Sequence, residues 1–265
     1  MKLGLLITAR LKSSRLPLKL LRRVNGEKLI DKVINRAKLV SNVDGIVLCT
    51  SINPQDKPLV DVALSQHIYY YLGDEEDVLQ RIRCAAEFFK YDYILSITGE
   101  NPFFCIDYAN RVVDEINKTN ADFIYIEGLP LGCAVSGIKT KALNVVCSIK
   151  KEVDTEIWGP LINRPEIFDV RKIEVEPFFN RPNIRITTDY PEDFEFINAI
   201  ASHFSSNEVP SLFDVCKLFD LKPELLLINR DRQQAQLSTA TLKKINDFFA
   251  SNKNEILEFK KQVYQ

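Results

Sequence analysis

The sequence holds few of the residues that usually mark a reactive centre. Its 265 residues include only two histidines, His67 and His203, and neither has a metal-like neighbour, so a histidine-built zinc site is not expected. The six cysteines, Cys49, Cys84, Cys105, Cys133, Cys147 and Cys216, are scattered without a CxxC pair. In a chain of this size that usage reads as reduced, mostly buried thiols of a cytoplasmic protein, not as a disulfide framework. No apolar run approaches the roughly 20 residues that span a bilayer, and no cationic leader opens the chain. A net charge of −1 and a pI of about 6.2 give no support to a protein that coats nucleic acid. Neither GxxxxGK[ST] nor GxGxxG occurs, which excludes a Walker loop and disfavours a dinucleotide cofactor. A glycosyltransferase is disfavoured in turn by the lack of a DxD-type metal motif in mid-chain. No Gly/Ser-rich or Pro-rich linker divides the chain.

What is present is a rhythm. With 46% hydrophobic residues the chain can bury one large core. "KLGLLIT" (2–8), "GIVLCTS" (45–51), "IYYYLG" (68–73), "YILSITG" (93–99) and "ADFIYIE" (121–127) read as strands. The first two and the fourth are near-continuous apolar runs, as buried parallel strands are. Between them, 27–40, 56–66, 77–89 and 107–118 place apolar residues at helical spacing. Repeated strand–helix units with short links imply an α/β fold with a mostly parallel, doubly wound sheet. Beyond about residue 128 the rhythm weakens. "LPLGCAVSG" reads as a loop, 140–150 and 156–164 as helices, and 168–176 and 183–190 as strands paired through "PFFNRP". A helix opens at Pro191 with Glu192 and Asp193 in its first turn. The expected organisation is one α/β domain over 1–230 and a charged helical extension over 231–265, in which no chemistry is legible.

One loop carries chemistry. In "ITARLKSSRLPLK" (7–19), Arg10, Lys12, Arg15 and Lys19 follow the first strand, and no acidic residue occurs in the first 26 positions. Ligands of doubly wound sheets bind at strand carboxyl ends, near the reversal of strand order. Four cations there, with the hydroxyls of Ser13 and Ser14 and nearby backbone N–H groups, suit a polyphosphate. A solvated basic loop is the plainer reading, and the position at a strand end argues against it.

The same loop resembles the pattern A-R-x-x-S-[ST]-R-L-P-x-K-x-L of cytidylyltransferases that activate acidic sugars. "LGDEEDVLQRI" (72–82), "ITGENPF" (97–103), the P-x-G turn at Pro130–Gly132 and "IRITTDYPEDFEFI" (184–197) match further blocks in order. Over about 1–230 the chain is similar to the SpsF-like branch, related to acylneuraminate and 3-deoxy-manno-octulosonate cytidylyltransferases. The resemblance implies a GT-A-like, Rossmann-type nucleotide-diphospho-sugar transferase fold. It further implies transfer of CMP from CTP to an acidic sugar, of ulosonic or nonulosonic type, with release of pyrophosphate, for surface glycan synthesis. On this resemblance Arg15 and Lys19 grip the leaving phosphates, and Ala9, Arg10, Ser13, Ser14, Asp77 and Thr98 hold the nucleotide. Glu100 and Asp189 hold Mg²⁺, with Asp189 counted among the catalytic residues. Asp77 and Arg81, one helical turn apart, would lie beside the nucleotide site, or could equally form a helix-start ion pair. For the acceptor the candidates are Arg185 and Trp158, with Arg171, Lys172, Arg181 and Phe179 behind them; Arg185 could instead pair with Glu192. A homodimer is expected, with an acceptor and dimerisation segment at about 130–183 and "DTEIWGPLINRPEIF" (154–168) near the interface.

Departures from the pattern matter. Its usual glycines are replaced by Lys12 and Leu18, and the aspartate of T-G-D-x-P by Glu100, whose extra methylene displaces the carboxylate by about 1.5 Å. Octahedral Mg²⁺ tolerates such a shift only if the backbone adjusts. Ser136 stands where many relatives carry glutamate. Two other readings therefore stay open: cytidylyl transfer to a phosphate- or phosphonate-bearing acceptor, giving a CDP-linked product, and a catalytically inactive nucleotide-binding partner protein.

Overall fold

The computed structural model describes residues 1–206 and 208–265. In chain order its strands are β1 (Leu3–Thr8), β2 (Arg23–Val24), β3 (Glu27–Lys28), β4 (Gly45–Ser51) and β5 (Tyr69–Gly73), then β6 (Tyr93–Thr98), β7 (Phe123–Ile126), β8 (Ser136–Lys139) and β9 (Val170–Ile173). The helices are α1 (Leu29–Ala37), α2 (Lys57–Ser65), α3 (Val78–Phe88), α4 (Ile106–Thr119) and α5 (Thr140–Ile149). They continue with α6 (Gly159–Ile162), α7 (Pro191–Ala201), α8 (Leu212–Leu221), α9 (Thr239–Ser251) and α10 (Lys253–Tyr264).

Seven strands form one sheet in the order β5-β4-β1-β6-β8-β7-β9, and β2 and β3 form a small antiparallel hairpin. All seven run parallel except β8, which is antiparallel to both its neighbours. The expected α/β class, with its mostly parallel doubly wound sheet, is what the chain adopts.

Alternate residues of the central strands supply two cores. Leu3, Leu5 and Ile7 of β1, with Leu95 and Ile97 of β6, pack beneath α1, α2, α4, α7 and α8. Leu6, Val47, Cys49 and Ile94 face the other way, beneath α3, α5, α6, α9 and α10. The result is a sheet between two helical layers, with the central strands β1 and β6 burying both of their faces. The C-terminal helices α9 and α10 thus complete a layer: Ile245, Phe249 and Ile256 cover Leu161, Ile162 and Phe168.

Two expectations after residue 128 are corrected. The "LPLGCAVSG" stretch is not all loop, because its end begins β8, which fits between β6 and β7. Its residues are small, and a Cβ at Gly137 would stand 2.6 Å from Val112, so the strand is specified by its neighbours' packing and not by its own pattern. Residues 183–190 do not pair with β9. β9 lies parallel to β7, while Leu131 donates to Ile184 O and accepts from Ile186 N, both at 2.8 Å. The extended segment is thereby tied to the P-x-G turn, which brings Asp189 toward the centre of the sheet.

Strand order reverses at β1, which has β4 on one side and β6 on the other. Thr8 and Thr98 end these strands in register, and Gly99 N donates to Thr8 O at 2.8 Å. The basic loop and the Gly99–Glu100 turn therefore leave the sheet side by side.

Candidate active site

The loop after β1 is anchored by its apolar residues. Leu11, Leu16 and Leu20 are buried, Ala9 N donates to Cys49 O at 3.0 Å, and Leu11 N donates to Asp56 at 2.7 Å. Ser13 Oγ accepts from Leu16 N at 3.3 Å, closing the turn. Leu18, one of the two departures from glycine, has φ 54° and ψ 27°. This is the left-handed region, where a glycine is unstrained and an L side chain is not. The backbone conformation thus accounts for glycine in the resembling pattern at that position.

The loop cations are each held by carboxylates. Arg10 lies 3.3 Å from Glu76 and 2.8 Å from Glu156. Lys12 lies 2.6 Å from Glu76 and 3.4 Å from Glu75. Arg15 sits over the Tyr190 ring at 4.7 Å, donates to its hydroxyl at 3.1 Å and lies 3.6 Å from Asp189. Lys19, only 6% exposed, places its ammonium 3.3 Å from Glu100 and 2.9 Å from Asp189. Burial works against the charge of Lys19, but Glu100 and then Asp189 hold its pKa above the ordinary lysine value. Burial would raise the Asp189 pKa, yet Lys19 and Arg185 keep it below the usual aspartate value.

Arg10, Arg15, Glu100, Glu156 and Asp189 meet at a cavity of about 580 Å³, while Lys12 and Lys19 lie outside its lining. Thr8, Ala9, Arg10, Arg15, Thr98 and Glu100 line its sheet-end wall, and Asp189, Gly132 and Trp158 face it from the second half of the chain. Gly132 has φ 92°, and a Cβ there would stand 2.6 Å from Ile186 O, so the P-x-G turn requires its glycine. Arg81 Nε and Asn101 Oδ1, both in residues of the wall, are buried without a hydrogen-bond partner among the described residues. Such groups are left for a ligand or water to satisfy. A larger hollow of about 630 Å³ lies beside α1. It has no comparable grouping, and its buried Arg36 is spent on the carbonyls of Pro102 and Pro210.

The placement of the remaining candidates is varied. Ser13 serves the loop itself, Ser14 is exposed, and neither lines the cavity. Asp77 also lies outside the lining. It caps α3 by accepting from Gln80 N at 3.0 Å, accepts from Thr155 at 2.8 Å, and pairs with Lys150. It forms no ion pair with Arg81, which instead donates to the carbonyls of Asp74 and Glu75 and itself lines the cavity.

Arg185 is not turned to an acceptor. Its guanidinium meets Asp193 at 2.9 and 3.0 Å, Asp189 at 2.7 Å and Gln234 at 2.7 Å. Nor does it pair with Glu192, whose partner is Arg232. Arg171, Lys172 and Arg181 lie outside the cavity, paired with Asp169, Glu174 and Asp220. Phe179 packs edge-on against Tyr108, with ring centres 5.9 Å apart.

The segment 154–168 is divided: Asp154, Glu156 and Trp158 reach the cavity, whereas Leu161, Ile162 and Phe168 are buried under α9 and α10. A dimer interface on its apolar side is therefore precluded by the chain's own helices.

Arg81, expected with Asp77 beside the nucleotide, lines the cavity; sequence reasoning missed Glu156 and the stretch Gln234–Ser238, which closes one side of it. No spacing or residue type announced them, since their role follows from which elements cross the sheet's end.

The 5–214 region matches the family model described as Cytidylyltransferase. The chain belongs to the cytidylyltransferase family. It is a nucleotidyltransferase of the SpsF-like kind. This cytidylyltransferase is 26% identical over 226 residues to the spore coat polysaccharide biosynthesis protein SpsF of Bacillus subtilis, covering 83% of this chain and 94% of that one. It is 28% identical over 236 residues to the uncharacterized protein MJ1063 of Methanocaldococcus jannaschii, covering 88% and 97%. Among solved structures, a cytidylyltransferase from Leptospira borgpetersenii superposes with a TM-score of 0.79 at 22% identity, over 89% of this chain and all of that one. A CMP:2-keto-3-deoxy-manno-octonic acid synthetase complexed with CTP gives 0.63 at 14% identity, over 77% and 99%. The wall formed by residues 234–241 lies beyond the family-matched region of this cytidylyltransferase.

Proposed function

We propose that this cytidylyltransferase uses CTP to convert an acidic sugar, of ulosonic or nonulosonic type, to its CMP derivative, with release of pyrophosphate, in surface polysaccharide synthesis. The observation that carries the reading is that Glu100 and Asp189, paired on the Lys19 ammonium, line one cavity together with Arg10 and Arg15 of the basic loop. The likeness to SpsF, a spore coat polysaccharide biosynthesis protein, and to the CTP-complexed CMP:2-keto-3-deoxy-manno-octonic acid synthetase supports the reading.

In the reaction a sugar hydroxyl oxygen bonds to the α-phosphorus, the bond from that phosphorus to the bridging oxygen breaks, and the hydroxyl proton passes to water. The barrier is the crowding of anionic oxygens, so positioning and cation placement carry the catalysis. Arg10 and Arg15 meet phosphate oxygens from the loop, exchanging their present carboxylate and phenol partners for them. Lys19 is fixed between two carboxylates and keeps its charge as the pyrophosphate leaves. Arg10, Arg15 and Arg81 are the cationic residues in the cavity lining, so phosphates and acceptor carboxylate share them. Trp158, held edge-on against Phe123 with ring centres 6.2 Å apart, offers a face to a sugar ring.

Glu100 and Asp189 fit Mg²⁺ as hard oxygen donors. Among the described residues no group of three or more His, Cys, Asp or Glu side chains is gathered for a metal, so the other ligands would be phosphate oxygens and water. When bound, Mg²⁺ would neutralise phosphate charge. The cytidylyltransferase is expected to act as a homodimer, through a surface other than the enclosed side of 159–168.

Pyrophosphate release measured with each of the four ribonucleoside triphosphates, with and without Mg²⁺, against sugar acids and phosphorylated acceptors, tests the reading. Release confined to CTP, Mg²⁺ and a sugar acid is expected. Release with another nucleotide, or only with a phosphorylated acceptor, overturns it.

A further inference from the structure

Asn229 lies outside the family-matched region 5–214, yet it is 5% exposed and points its amide into the site's support. Its Nδ2 donates to Asp193 Oδ1 at 2.9 Å and to the Arg185 carbonyl at 3.1 Å. Asp193 is fully buried. Its Oδ2 accepts from the backbone N–H groups of Asp189 and Tyr190, at 2.9 and 3.0 Å. Five donors thus converge on this carboxylate: Asn229, those two backbone groups, and Nε and Nη2 of Arg185.

Arg185 carries the connection onward. Gln234 Oε1 accepts from Nη1 at 2.7 Å, while Nη2 donates to Asp189 Oδ2 at 2.7 Å. With Nε on Asp193, the planar fork has no free rotation, so Gln234 and Asn229 jointly fix the nitrogen that faces Asp189. The other oxygen of Asp189 meets Lys19. Both the main chain and the side chain of Asp189 are therefore set by groups that the tail holds.

We infer that Asn229 and Gln234 are positioning residues for Asp189: the segment after residue 228 sets the geometry of the metal-facing carboxylate through Asp193 and Arg185, without touching nucleotide phosphates. This rests on the reading of Glu100 and Asp189 as the Mg²⁺ ligands. A ligand held by a second layer of hydrogen bonds typically loses about 10- to 100-fold in metal affinity when that layer is removed.

Calorimetry on the full chain separates the roles. CTP binding is measured in EDTA, and Mg²⁺ is then titrated into the CTP complex, with thermal unfolding as the check on fold. Asn229→Ala is expected to raise the Mg²⁺ half-saturation about 10-fold. Gln234→Ala, at an exposed position that spares the core, should raise it about threefold or more, and Gln234→Glu should restore it, because a carboxylate still accepts from Arg185. CTP binding in EDTA should change by less than about twofold in Asn229→Ala, whose side chain lies outside the cavity lining. If Asn229→Ala fails to fold, Gln234→Ala with its Gln234→Glu control carries the test. Unchanged Mg²⁺ half-saturation in the folded alanine variants overturns the inference, as does an equal loss of CTP binding in EDTA by Asn229→Ala. Wild-type protein that binds CTP without any Mg²⁺ response overturns the underlying metal reading instead.

Discussion

Lys19 donates to Asp189 at 2.9 Å across 170 residues of sequence. The loop that supplies the ammonium follows β1, and the carboxylate arrives on a segment tied to the P-x-G turn, so their meeting is a product of sheet order. The same ammonium lies 3.3 Å from Glu100. Arg185 at 2.7 Å and Arg15 at 3.6 Å complete the cations around Asp189.

Asp189→Asn is expected to reduce pyrophosphate release by roughly 100-fold or more and to abolish its Mg²⁺ dependence. The pH dependence has a definite sign. The depressed Asp189 pKa means that its stabilising contribution is present above the unfolded value, about 3.9, and is lost as pH falls through the lower folded value. Denaturant melts between about pH 5 and pH 2 should therefore be flatter for the variant. For Lys19, whose pKa is raised, the contribution is full below the unfolded value of about 10.4 and fades as pH climbs through the folded one. Retention of full turnover in Asp189→Asn would falsify the two-carboxylate arrangement.

Leu18→Gly should stabilise the protein. The residue is half exposed, so little burial is lost, while relief of a left-handed leucine is worth about 1–2 kcal/mol, offset in part by glycine's greater unfolded-state freedom. A net gain near 1 kcal/mol corresponds to a thermal midpoint about 2–4 °C higher. A midpoint that falls would show that Leu18 makes contacts outweighing its backbone strain.

Glu156→Gln is expected to tighten CTP binding several-fold at low ionic strength. The carboxylate lies 2.8 Å from Arg10 at the cavity wall and competes with phosphate for the same guanidinium, although exposure and salt weaken its hold. Titrations at two salt concentrations check this: the gain should shrink as salt rises, and weaker binding in the variant would mean that Glu156 assists the nucleotide.

Asp77→Ala should act on stability and leave nucleotide binding alone. It removes a helix cap and strands the buried Lys150 ammonium, together costing roughly 3–5 kcal/mol. The thermal midpoint should drop by many degrees, while CTP affinity at low temperature stays within about twofold of wild type. A selective loss of affinity with an unchanged midpoint would place Asp77 on the ligand after all.

The early strands were legible because they are buried on both faces: apolar runs such as "GIVLCTS" announce themselves, and that reading of β4 coincides with its observed bounds. The basic loop was legible because four cations without a nearby acid are conspicuous after such a strand. Local pattern failed where specification is non-local. β8 is four residues long and opens with Ser136 and Gly137, so only its neighbours fix it, and residues 183–190 look like a strand yet are bonded to the Leu131 turn. Asp77 and Arg81, one helical turn apart, were expected together beside the nucleotide or paired with each other, but the fold gives the first to Lys150 and the second to the cavity wall.

By itself, then, the sequence determined the alternation of elements, the placement of the basic loop at a strand end, and, through motif order, the family. Tertiary structure alone decided which charges pair. Arg185 is enclosed by Asp189, Asp193 and Gln234 because α7 and the tail converge on it, and the apolar side of 159–168 is unavailable because α9 and α10 lie upon it. Periodicity reports which face of an element is buried, but ion pairing depends on distances between elements, and those exist only once the layers have packed.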